Sequence, residues 1–266
     1  MKHLSIVPSL QSDATTWLGT VTDDEYNTIL VVNEQQVILT EAAIKNHDML
    51  WPNYISKAKQ TDPELIEVFD NFAFDEVYKN SAIDLKTRIL ATLASTIATQ
   101  SLSEYKMFID AAISNNISPI EIKEVLYQAI PYIGISKVLD FIYTTNEIFK
   151  DKDIKLPLAA QSTTNQENRF QKGLDVQKEI FGDFIDNLYK QSPEDQIHIQ
   201  KFLSANCFGD YYTRSGLDLK TRELLTYTYL ISMGGAELQV KGHIQGNINM
   251  GNNKGKLLGV TTALIP

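Results

Sequence analysis

Hydrophobic residues recur along most of this chain three and four positions apart, the period of a helix with one buried face. Ile89, Leu90, Leu93 and Ile97 form one such stripe, and Asp84 stands ahead of it where an N-cap belongs. Ile122, Val125, Leu126, Ala129 and Ile130 form another. That second stripe follows Ser118-Pro-Ile-Glu121, where a capping serine, a proline at the first helical position and a glutamate for a capping box mark a helix start. Ser192-Pro-Glu-Asp195 gives a similar signal ahead of Ile199, Phe202 and Leu203. Strand-like runs stand out near the beginning. Thr28–Val32 and Val37–Thr40, joined by Asn33-Glu-Gln-Gln36, are expected to pair as a small hairpin. The predicted class is all-α with that one short N-terminal β-hairpin.

The helical pattern occurs twice. Ser81-Ala-Ile-Asp-Leu-Lys-Thr-Arg-Ile-Leu-Ala-Thr92 returns as Ser215-Gly-Leu-Asp-Leu-Lys-Thr-Arg-Glu-Leu-Leu-Thr226, with eight identities in twelve positions. Upstream in the same register Phe74 pairs with Phe208 and Tyr78 with Tyr212. Downstream, one residue further out of step, Ile109 matches Ile244, Val125 matches Val260, and Ile130-Pro131 matches Ile265-Pro266. The repeat divides the chain into an extension (1–50), a first unit (51–150), a Pro- and Gln/Ser/Thr/Asn-bearing linker (151–168) and a second unit (169–266). The second unit has no counterpart to the helix expected after Pro131. The apolar groove left there is expected to be covered by the N-terminal segment or by a neighbouring subunit.

Charge and cysteine count narrow the setting. Asp and Glu number 33 against 24 Lys and Arg, a net charge of −9, which disfavours nucleic acid and anionic membranes as partners. The single cysteine, Cys207, allows neither an intrachain disulfide nor a cysteine-cluster metal site. The opening Met-Lys-His-Leu-Ser-Ile-Val-Pro lacks the apolar core of a signal peptide, and no apolar run is long enough to span a bilayer. A soluble, reducing, cytoplasmic setting is expected. His3, His47 and His198 show no ligand spacing, so no metal is predicted, and no phosphate-cradling glycine loop appears.

Phe208-Gly-Asp-Tyr-Tyr-Thr-Arg-Ser-Gly-Leu-Asp-Leu-Lys-Thr-Arg-Glu-Leu224, followed by Gly234-Gly-Ala-Glu-Leu-Gln-Val-Lys-Gly-His243, resembles the carboxymuconolactone decarboxylase family, within the alkylhydroperoxidase-like superfamily. Asn116 through Gly134 looks like the next helix pair of that family. The resemblance implies an all-α fold assembled into ring-like homo-oligomers, with tandem forms often trimeric. It also implies either a cofactor-free lactone decarboxylase or a peroxidase using a CxxC pair beside a histidine and a glutamate. The pair is missing: seven and four residues before His243 stand Ala236 and Gln239, which excludes a disulfide-cycling site there. The first unit departs further, with Ile89 in place of Glu223 and Phe108 in place of His243. Chemistry is therefore expected in the second unit, with the first as scaffold.

His243 and Glu223 are the candidate catalytic residues. The histidine would deliver a proton, and the glutamate would orient it or relay. Arg222 is a candidate carboxylate clamp, although its recurrence as Arg88 in the unit without the histidine argues equally for a structural role. Gln239 and Lys254 complete the candidate substrate contacts, Lys254 by attracting an anion near a helix start. The leading expectation is a cofactor-free lyase acting on a small carboxylated lactone or related acid. Two alternatives stand beside it: a hydroperoxidase-like oxidoreductase using Cys207, and a helical oligomer that binds a small molecule without turnover. Cys207 pairs with Ala73 of the first unit, which favours a buried, small-hydrophobe role.

Overall fold

The computed structural model describes residues 16–22, 28–34 and 37–266, so the reading of the opening Met1–Pro8 lies outside the described residues. The chain divides into two compact units, Met1–Lys79 and Asn80–Ile265.

In the first unit, β1 (Thr16–Thr22) and β2 (Thr28–Glu34) pair antiparallel, with Thr16 opposite Glu34 and Thr22 opposite Thr28. The strand expected from Thr28 is present, but its partner precedes it. The expected second strand, Val37–Thr40, is irregular and leads into α1 (Glu41–Leu50). The reason is tertiary: the backbone groups of that segment are taken by side chains of a later helix. Ile38 N–H donates to Glu67 Oε2 (2.9 Å), Ile38 C=O accepts from Asn71 Nδ2 (3.0 Å), and Thr40 N–H donates to Asn71 Oδ1 (2.9 Å). Thr40 then caps α1 by accepting from Ala43 N–H at 3.0 Å, as its residue type favours. Helices α2 (Ala58–Thr61) and α3 (Pro63–Asn71), a π-helical turn (Phe72–Glu76) and α4 (Val77–Asn80) follow.

The second unit begins with α5 (Leu85–Ala98), α6 (Leu102–Ser114), α7 (Pro119–Ile133) and α8 (Ile135–Asp151). The caps read from sequence form as expected. Asp84 accepts from Thr87 N–H at 2.8 Å, and Ser118 and Glu121 close a capping box. A non-helical strap then leads to α9 (Arg169–Phe181), α10 (Phe184–Gln191), a 3₁₀ turn at Glu194–Gln196, α11 (Ile197–Phe202) and a π-helical stretch, Leu203–Tyr212. Ser192 does not cap the helix ahead of it. Its hydroxyl donates back to Leu188 C=O at 2.7 Å and finishes α10 instead. The unit ends with α12 (Leu219–Met233), α13 (Glu237–Asn249) and α14 (Lys254–Ala263).

The two duplicated helices, α5 and α12, pack against each other, and α12 also packs on α7 and α13. The repeat thus builds a shared core: Ala91 of α5 joins Leu224, Tyr227, Leu257 and Val260. The π-helical segments fall at matching places in the two copies, around Phe74 and Phe208. In the second copy α9 crosses the π segment backbone to backbone. A Cβ on Gly173 would collide with the Ser204 carbonyl, and one on Gly209 with that of Arg169, so only glycine permits the approach. The crossing fixes Cys207, Phe208 and Tyr212 in one buried cluster with Ile180, and there the site begins.

Candidate functional site

Asp218 caps α12 by accepting from Thr221 N–H at 2.7 Å, which sets the phase of the next turn. That phase buries Arg222, Glu223 and Thr226 completely. Across the Gly234-Gly235 turn, α13 returns and brings His243 Nδ1 to 2.9 Å from Glu223 Oε2. The His243 side chain is 12% exposed and that of Glu223 is 0%, so the ring stands at the edge of the protein with its carboxylate partner inside. Asn247, one turn beyond His243, ties the two helices by donating to the Glu223 carbonyl at 2.9 Å and to that of His243 at 2.7 Å. Phe181 and Tyr132 meet the imidazole edge-on, with centroids 5.4 and 6.0 Å away, and hold the plane of the ring.

Behind the pair runs a buried polar chain. Tyr212 OH donates to Glu223 Oε1 (2.7 Å) and lies 2.6 Å from Thr226 Oγ1. Tyr132 OH donates to Tyr212 OH at 3.1 Å, and Cys207 Sγ donates to Tyr132 OH at 3.5 Å. Gln128 Nε2 reaches Thr226 Oγ1 at 3.3 Å. Burial pushes the phenols of Tyr132 and Tyr212 well above their ordinary range, with the Glu223 charge adding to the effect, so both act as neutral donors. Each Glu223 oxygen has a donor aimed at it, and the carboxylate is held in one orientation. With Nδ1 occupied by that carboxylate, Nε2 is the nitrogen left for a reacting molecule.

Of the residues singled out from sequence, the structure brings His243 and Glu223 together, sets Cys207 behind them at the end of the buried chain, and leaves Arg222, Gln239 and Lys254 without a bond to either. Arg222 is fully buried and committed elsewhere. It donates to Glu124 Oε2 (2.8 Å), Gln128 Oε1 (3.0 Å) and the Arg214 carbonyl (2.9 Å), so no two-pronged face remains for a substrate carboxylate. The expectation of a substrate clamp is corrected here, because a guanidinium in the interior requires a counter-charge and Glu124 supplies it. Gln239 is exposed one turn ahead of His243 on α13, and Lys254 is exposed at the first position of α14, where Asn253 is the cap. Cys207 is 5% exposed, and burial raises its thiol to about 12. Among the described residues no group of three or more His, Cys, Asp or Glu side chains is arranged to hold a metal ion.

Sequence reasoning missed Tyr132, Tyr212, Thr226 and Gln128. Tyr212 had appeared only as the repeat partner of Tyr78, and the other three as ordinary helix positions. Their common property, facing one point from three elements, has no signature along the chain.

The sequence profile of the carboxymuconolactone decarboxylase family matches residues 63–142 and again 198–264, more than half of the chain and once in each copy of the repeat. The chain belongs to that family. The 4-carboxymuconolactone decarboxylase of Acinetobacter baylyi (strain ATCC 33305 / BD413 / ADP1) is 31% identical over 94 residues, which cover 35% of this chain and 69% of that protein. The resemblance read from the two motif stretches is therefore established, as is the tandem arrangement. Both parts of the Glu223–His243 pair lie within the second matched region, and Tyr132 reaches them from the first. Among the described residues no helix is long and apolar enough to cross a membrane.

Proposed function

We propose that this member of the carboxymuconolactone decarboxylase family is a cofactor-free lyase that decarboxylates a small carboxylated lactone or a related acid. One observation carries the reading: a fully buried carboxylate, Glu223, 2.9 Å from Nδ1 of a histidine whose ring reaches the surface. The relative from Acinetobacter baylyi is named for a reaction of this kind. In the proposed step the bond between the carboxylate carbon and the ring breaks. Its electron pair passes into the conjugated lactone as an enolate, and carbon dioxide leaves. His243 Nε2–H then donates a proton to carbon, so one proton is consumed per carbon dioxide released and is restored from solvent. Glu223 stabilises the positive imidazole before that transfer and holds its plane. Gln239 would hydrogen-bond the substrate from the preceding turn of α13, and Lys254 would draw the anion in.

A peroxidase working through Cys207 has less support, since a buried thiol raised to about 12 carries almost no thiolate at neutral pH. Assembly into a homo-oligomer, with a trimer favoured, is part of the proposal. Phe184, Ile199 and Phe202 of the second unit are large apolar side chains in solvent, Phe202 at 67% exposure, the kind of surface a neighbouring copy covers. A cytoplasmic location is proposed with it, on the single cysteine and the acidic charge.

The test is carbon dioxide release from γ-carboxymuconolactone by the parent protein, His243→Ala and Glu223→Gln. Turnover by the parent that falls by at least about 100-fold in His243→Ala is the expected result. Equal turnover in His243→Ala would overturn the assignment.

A further inference from the structure

A cavity of about 530 Å³ lies in the second unit between α7, α8 and the strap at 156–161, and no residue of the Glu223–His243 cluster lines it. The strap is tied down at several points. Gln161 C=O accepts from Ser215 N–H at 2.9 Å, Thr163 Oγ1 donates to Thr213 C=O at 2.8 Å, and Thr164 Oγ1 donates to Gly209 C=O at 2.9 Å. The segment that reads as a linker is therefore a fixed wall. Ile120, Ile142 and Leu158 make part of the cavity apolar, while Lys123, Glu124 and Arg214 bring charge to it.

The charges do not balance. Glu124 is held by two guanidiniums, Arg214 through Nε at 3.0 Å and Nη2 at 2.9 Å and Arg222 through Nη2 at 2.8 Å, so that group alone carries a net +1. Lys123, the next residue back on α7, is 5% exposed. Among the described residues its ammonium meets neutral partners, the Asn146 side-chain oxygen and the face of Phe149 at 5.9 Å. Desolvation lowers Lys123 to about 8, which leaves it largely protonated at pH 7. Lys123 thus adds a second buried positive charge beside the Glu124 group, inside a chain whose net charge is −9. An interior ammonium without a counter-charge is costly, and an anion entering the cavity removes that cost.

We propose that this cavity binds a small organic carboxylate, with its anionic end at Lys123 and its apolar body against Ile120, Ile142 and Leu158. A bare inorganic anion would leave the apolar wall unfilled, and a neutral ligand would leave the ammonium unpaired. The second copy of the repeat has Leu258 and Gly259 where the first has Lys123 and Glu124, so the cavity's lysine and glutamate are particular to the first copy, while Arg214 reaches them from the second.

The experiment is calorimetric titration of the full chain with benzoate, benzamide and inorganic phosphate, repeated with Lys123→Met, Ala160→Trp and His243→Ala. Benzoate is expected to bind saturably, and about tenfold or more weaker to Lys123→Met. Ala160→Trp, which narrows the cavity from the exposed strap without touching the charges, should also weaken it, and benzamide and phosphate should bind worse than benzoate. His243→Ala should bind benzoate as the parent does, which separates this site from the proposed reaction site. Absence of saturable benzoate binding to the parent, benzoate binding unchanged in both cavity variants, benzamide or phosphate binding as well as benzoate, or loss of binding in His243→Ala would each overturn the proposal. Far-UV circular dichroism of Lys123→Met, read beside Ala160→Trp, separates lost binding from lost folding.

Discussion

Gly246 stands against Glu223 with no room for a side chain between them: a Cβ there would lie 2.5 Å from Glu223 Oε2, 2.8 Å from Phe181 Cε1 and 3.0 Å from Ile180 Cγ2. The residue lies inside α13, where glycine costs about 1 kcal/mol relative to alanine. Propensity alone would make Gly246→Ala stabilising. Overpacking, at about 1–3 kcal/mol, outweighs it, and the carboxylate that must yield is the one that orients His243. Gly246→Ala is expected to be less stable in urea unfolding and to lose the proposed decarboxylase turnover together with that stability. A variant more stable than the parent would show that Glu223 moves freely.

Glu124 holds the interior together by its charge. Its side chain is 1% exposed and serves both Arg214 and the fully buried Arg222. Glu124→Ala strands a guanidinium inside the protein and is expected to cost about 3–5 kcal/mol, the range for breaking a buried pair. Arg214→Ala, removing the more exposed partner, should cost less, because Arg222 still answers the carboxylate. Urea denaturation of the two variants checks the order.

Cys207 should be chemically silent in the folded protein. Burial raises the thiol to about 12, so it stays protonated at pH 7, and the sulfur is out of reach of solvent. Iodoacetamide at pH 8 is expected to leave the native chain unmodified and to alkylate it fully in denaturant, as read by intact mass. Cys207→Ser should retain the proposed lyase activity.

Asp84 links pH to stability. Its carboxylate caps α5 and accepts from Lys256 Nζ at 2.8 Å, and these donors hold its pKa well below the ordinary range against the opposing effect of burial. A carboxyl depressed in the folded state stabilises in full above its unfolded value of about 4 and loses that contribution as pH falls toward the lower folded value. Asp84→Ala is expected to cost about 1 kcal/mol at pH 7, the usual worth of a cap. The gap between parent and variant should close as the pH is lowered below about 4. A gap independent of pH would mean that the carboxylate's charge contributes nothing.

Much of this protein is written locally. The helix starts at Asp84, Ser118 and Asp218 follow from a side chain three residues from the N–H it satisfies, and the duplication follows from a register that can be read by eye. His243 and Glu223 were legible as a pair through the resemblance of their stretch to a known family, and because one copy of the repeat has them and the other does not. The hairpin partner was misjudged because Val37–Thr40 looks like a strand until Glu67 and Asn71, some thirty residues away, take its backbone groups. The role of Arg222 stayed open between substrate clamp and structural pair for a related reason. A guanidinium's role is set by the counter-charge it meets, and Glu124 lies 98 residues away in sequence, on another helix. Local hydrogen bonds and periodicity fixed the helices and their order. Which polar groups were removed from water together, and so which charges had to be matched or left waiting, was decided only when α7, α12 and α13 packed.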